Sequence, residues 1–67
     1  MHNKLFVRAL TVAVNGYRVS PQARIVAGDD EIVFVEDGNK LFTFEKVGNA
    51  SVAMCDEDGN ELRRWLV

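Results

Sequence analysis

The residue pattern with the most potential for chemistry is the segment EDGN, which occurs at 36–39 and again at 57–60. In the second copy Asp56 comes directly before it, so oxygen-bearing side chains stand at alternate positions, as they do in calcium-binding loops. An EF-hand also needs glycine at its sixth position and glutamate at its twelfth. A loop starting at Asp56 has Gly59 at the fourth and Val67 at the twelfth. The sequence therefore favours two hairpin turns over two cation sites, and no metal site is predicted.

Residues for covalent or acid–base catalysis are scarce. The chain has one histidine, His2, and one cysteine, Cys55, and a nucleophile normally needs a neighbouring base that a third group orients. The five glycines stand singly, so no glycine-rich phosphate loop is present. We predict a protein that is not an enzyme, uses no cofactor and has no internal disulfide.

Charge is distributed unevenly along the chain. Residues 1–28 contain four bases and no acid, whereas all ten acids follow from Asp29 onward. Either the two parts pack together and neutralise each other, or the basic part contacts a polyanion. In the second case a small nucleic-acid-binding barrel would combine aromatic side chains with cations. The basic residues assigned to that alternative are Arg8, Arg18, Arg24, Arg63 and Arg64.

The elements that must position these residues are mostly strands. Short segments rich in β-branched and aromatic residues are separated by Asp-Gly, Gly-Asn or acidic clusters, which predicts antiparallel hairpins. The predicted strands cover 23–27, 31–36, 40–46, 50–55 and 61–67. With a two-residue loop at the first EDGN segment, alternation places Val33, Val35, Phe42 and Phe44 on one face of that hairpin. A three-residue loop would instead place Phe42 beside Ile32 and Phe34, so the sequence leaves the register open. In the second hairpin a two-residue loop places on one face Val52 and Met54 with Arg63, Trp65 and Val67.

The N-terminal segment is compatible with two structures. Apolar residues at helical spacing would make 3–14 a helix that Asn3 caps and Gly16 ends. The β-branched residues of this segment and the pair Asn15-Gly16 instead favour a hairpin that pairs Val14 with Tyr17. We prefer the hairpin. The predicted fold is all-β, a small antiparallel meander or barrel of five to seven short strands, with α+β as the alternative if 3–14 is helical.

Length and hydropathy limit the function. A single domain of 67 residues buries only about 60% of its unfolded surface, and yet 48% of its residues are hydrophobic. No apolar run is long enough for a membrane span, and no signal-peptide pattern is seen, so we expect a cytoplasmic protein without membrane contact. We predict a protein-interaction or structural module, either a homodimer or part of an assembly, that uses its strand edges. Residue type alone suggests as contact residues Tyr17, Arg18, Arg24, Arg64 and Trp65.

Overall fold

The computed structural model describes residues 4–67 and shows one helix on one side of a five-stranded antiparallel sheet. The elements are α1 (Lys4–Gly16), β1 (Arg24–Gly28), β2 (Ile32–Asp37), β3 (Lys40–Val47), β4 (Ser51–Cys55) and β5 (Glu61–Leu66). The strand order is β1-β2-β3-β4-β5, so the sheet is an open meander. The predicted meander and the α+β alternative are thereby confirmed. His2 and the cap predicted at Asn3 lie outside the described residues.

The preferred N-terminal hairpin is wrong, because the segment forms α1. Asn15-Gly16 is not a hairpin turn, and the backbone NH of Tyr17 instead donates to the carbonyl of Ala13 at 2.8 Å. The helix buries Phe6, Ala9 and Ala13, which recur at helical spacing along one face. Burial of this face stabilises the helix by more than its β-branched residues cost, since each of these lowers helix propensity by less than about 0.7 kcal/mol.

The first EDGN segment forms the predicted tight hairpin. Asp37 pairs with Lys40, which leaves a two-residue loop in which Gly38 has a φ of 64°. A positive φ at this position is unfavourable for residues with a side chain, so glycine is required here. The resulting register confirms the arrangement predicted for a two-residue loop, because Val33 lies opposite Phe44 and Val35 opposite Phe42.

The second EDGN segment is a longer turn than predicted. Cys55 pairs with Glu61, so the loop comprises residues 56–60, and the backbone NH of Asp56 donates to the Asn60 carbonyl at 3.0 Å. Both copies of EDGN therefore lie in hairpin turns, but the turns differ in length. The predicted placement of Val52 and Met54 on one face with Arg63 and Trp65 is nevertheless correct, because a bulge in β5 compensates for the longer loop.

The core lies between α1 and one face of the sheet. Buried side chains from β2, β3 and β4 meet the apolar face of the helix, and Ala9 and Ala13 allow a close approach because they are small. The largest fully buried side chains are Phe6, Phe44, Met54, Val33, Val35 and Val52. Within residues 4–67, no helix has the length and apolar character to cross a membrane.

Candidate interaction surfaces

The sheet face opposite the helix is apolar at its centre. Alternation from the buried core residues directs Phe34 and Leu41 to this side, where they are 36% and 37% exposed. In the part of the chain that the structure describes, no helix or strand covers this face. We call it the open face and define it by Ile32, Phe34, Leu41, Thr43, Glu45 and Ala53, of which the small Ala53 is buried.

Two ion pairs lie at opposite ends of the open face. On β1 and β2, Nη2 of Arg24 lies 3.4 Å from Oε1 of Glu36, and on β5, Nη2 of Arg64 lies 2.8 Å from Oε1 of Glu61. The β5 bulge places Glu61 and Arg64 on one face despite their spacing of three. The hydrogen bond that Arg64 donates lowers the pKa of Glu61 below its usual value, and the carboxylate of Glu61 in turn raises the pKa of Arg64.

A second group of side chains is centred on Tyr17, on the helix side of the sheet. The guanidinium carbons of Arg18 and Arg63 lie 5.7 and 5.3 Å from the centre of the Tyr17 ring. The same ring meets Trp65 edge to face, with centroids 6.1 Å apart, and Trp65 stacks on Phe44, also at 6.1 Å. Because Phe44 is fully buried, this aromatic chain connects the two arginines to the core.

Beside Tyr17 is a cavity of about 220 Å³. We call it the basic cleft, and its lining consists of Tyr17, Arg18, Lys40, Phe42, Met54 and Leu62. Phe42 and Met54 are buried core residues, so the cleft has an apolar floor, and its charged lining residues are both cations.

The predicted contact residues do not form one patch. Tyr17, Arg18 and Trp65 lie on the helix side, whereas Arg24 and Arg64 flank the open face on the first and last strands.

The arginines of the nucleic-acid alternative are divided in the same way. Arg18 and Arg63 each contact the Tyr17 ring, and Arg24 and Arg64 are each ion-paired with a glutamate. Arg8 lies on α1 beside Leu66 and Val67. The aromatic residues next to basic residues in the strands offer little surface for stacking with bases, because Phe42 and Phe44 are buried and Trp65 is half-buried.

The acidic clusters organise turns. Oδ1 of Asp29 accepts hydrogen bonds from the backbone NH groups of Glu31 and Ile32, at 2.9 and 3.1 Å. Oδ1 of Asp56 accepts two more, from Asp58 at 2.9 Å and Asn60 at 3.0 Å. These donors favour the ionised carboxylates and so lower the pKa of both aspartates. The largest effect on the pKa of Asp29 comes from the backbone NH of Glu31, and the largest on that of Asp56 from the backbone NH of Asn60. Among residues 4–67 no group of three His, Cys, Asp or Glu side chains is arranged to hold a metal ion.

Sequence analysis missed the open face as a site, although its signal was present. The alternation that assigns Val33 and Val35 to the core leaves Ile32 and Phe34 on the other side, and Leu41 joins them from β3. By contrast, the contact of Arg63 with the Tyr17 ring depends on how the helix packs and has no signal in the local sequence. The chain matches no protein-family model, and neither a curated protein nor a solved structure resembles it significantly.

Proposed function

We propose that this protein is a non-enzymatic cytoplasmic interaction module that forms a homodimer by packing its open face against the open face of a second copy. The observation that carries the proposal is the exposed apolar centre formed by Phe34 and Leu41, on a face that the helix leaves uncovered. Antiparallel sheets often expose one face to water, but such faces usually carry alternating polar residues. Here the centre of the exposed face is apolar.

The charges around the open face support a second copy as its partner. Arg24 is paired with Glu36 and Arg64 with Glu61, and Glu45 of β3 adds one more carboxylate on this face, so two cations stand against three anions. A face with so small a net charge can approach its own copy with little like-charge repulsion, whereas a strongly charged partner would find little complementary charge there. A standard interface of about 800 Å² per subunit would cover roughly a fifth of the 4396 Å² surface of the chain.

The test is the molar mass in solution, measured by light scattering over a range of protein concentrations at about 50 and about 500 mM salt. We expect a dimer that persists at high salt, because the interface is apolar. A monomer at all concentrations would contradict the proposal. A species that enlarges only with added oligonucleotide, and only at low salt, would support the nucleic-acid alternative instead.

Phe34→Thr tests the interface directly. About 70 Å² of the phenylalanine remains exposed if its full area is about 200 Å², and a symmetric dimer buries this surface twice, for about 3.5 kcal/mol. Threonine keeps part of that surface and suits a strand, so we expect dimerisation to weaken by at least about tenfold. Val12→Thr is the matched control, because Val12 is 39% exposed but lies on α1. Equal weakening by both substitutions would exclude the open face as the interface.

A further inference from the structure

The basic cleft gathers cations from parts of the chain that are distant in sequence. Arg18 follows α1, Lys40 begins β3 and Arg63 lies in β5. Arg18 and Lys40 line the cleft, and Arg63 contacts the ring of Tyr17, which also lines it. The contacts of Tyr17 with Trp65 fix the ring. Both guanidinium groups are therefore in contact with one fixed ring before any ligand binds.

These cations differ from the other arginines of the sheet in lacking a carboxylate partner. Arg24 and Arg64 are ion-paired, whereas in residues 4–67 no ion pair is formed by Arg18, Lys40 or Arg63. This is notable in a chain with ten acids and a net charge of −2.

Two acids beside the cleft accept backbone hydrogen bonds. Asp37, the cross-strand partner of Lys40, accepts one from the backbone NH of Ser20 at 3.1 Å, and Asp56 accepts those of its own loop. Residues 56–58 line a neighbouring depression, which shares Lys40 and Phe42 with the cleft. The cleft itself is left with cationic and apolar side chains.

We propose that the basic cleft binds a small organic anion in which a carboxylate or phosphate is attached to an apolar ring. The guanidinium groups of Arg18 and Arg63 present planar sets of donors that match both kinds of oxyanion, and Lys40 adds a third positive charge. The ring packs on Phe42 and Leu62, the apolar lining residues that keep some accessible surface. A volume of about 220 Å³ selects a ligand of about one ring. The cleft and the open face are on opposite sides of the sheet, so this site does not depend on dimerisation.

The test is a titration followed by two-dimensional amide NMR, with phenyl phosphate and benzoate as probes. We expect saturable shifts at Tyr17, Arg18, Lys40 and Arg63 with at least one of them, and the stronger of the two identifies the preferred oxyanion. Inorganic phosphate, which lacks the ring, and benzylamine, which carries the opposite charge, should bind at least about tenfold more weakly. Binding of benzylamine or inorganic phosphate as tight as that of the better probe would overturn the proposal, as would the absence of shifts with both probes.

Adjacent arginines on β5 provide a matched pair of variants. Arg63 faces Tyr17 and the cleft side, whereas Arg64 lies on the open face with Glu61. We expect Arg63→Gln to weaken binding of the better probe by about tenfold, the loss typical of one charge-assisted contact. Arg64→Gln should change it less than about twofold. Equal effects of the two substitutions in variants that keep dispersed spectra would refute the assignment of the site to the cleft.

Discussion

Replacing Gly28 by alanine should severely destabilise the protein. Gly28 ends β1 opposite Val33, and its φ of 137° lies in a region that side chains rarely tolerate. A Cβ atom at this position would lie 2.4 Å from the carbonyl oxygen of Ile32 and 2.5 Å from the Cα of Val33. Both are backbone atoms, so no side-chain rotation can relieve the contact.

The expected loss follows from two contributions. Backbone strain at such a φ costs about 1–3 kcal/mol. Moving β1 away from β2 would also break the hydrogen bond from the Asp29 NH to the Ile32 carbonyl, now 2.8 Å long, at a cost of about 1 kcal/mol. A total of about 3 kcal/mol is comparable to the whole net stability of so small a domain. We therefore expect the Gly28→Ala protein to be largely unfolded, or only marginally stable, at 25 °C.

Urea denaturation followed by circular dichroism measures this loss, with Gly16→Ala as the control. Gly16 is the last residue of α1, and a Cβ there would have no atom within 4 Å, so alanine should leave stability unchanged or raise it by up to about 1 kcal/mol. A Gly28→Ala protein within about 1 kcal/mol of the wild type would show that β1 does not approach β2 as described.

Other predictions concern the core and the turns. Met54→Ala should lower the free energy of unfolding by about 2–5 kcal/mol, because Met54 is fully buried. Met54→Leu should lower it by less than about 1.5 kcal/mol, because it conserves volume. Urea denaturation of the two variants and the wild type measures both losses. The lowered pKa values of Asp29 and Asp56 contribute stability that is present above the unfolded-state pKa and is lost as pH falls through the folded-state values. Stability measured at a series of pH values below about 5 should therefore fall less steeply in Asp56→Asn than in the wild type, and an unchanged slope would contradict the role of this carboxylate.

The strands were predictable because local signals and alternation agree there. Glycine and aspartate mark the turns, and one tight register places Val33 and Val35 against Phe42 and Phe44, as observed. The longer second loop was not predictable, because its length is compensated by a bulge in β5 that has no signature in the sequence.

The helix was misassigned because local and tertiary preferences conflict in its sequence. Asn15-Gly16 and several β-branched residues favour a hairpin, but a helix is the structure that places Phe6, Ala9 and Ala13 together on the sheet. The value of that burial depends on the sheet, which lies later in the chain. The basic cleft could not be anticipated for the same reason, since Tyr17 meets Arg63 only once α1 is packed on the sheet.

The bulges at the two sides of the sheet bear on whether strands of neighbouring molecules can pair. An open meander has two different edges, and pairing β1 of one molecule with β5 of the next would be a head-to-tail contact, which extends into a filament unless the rotation closes a ring. The extra residue Val26 interrupts the ladder of β1, and the shift near Leu62 interrupts that of β5. Irregular outer strands are poor templates for an incoming strand, so both edges of this sheet disfavour the addition of a sixth strand.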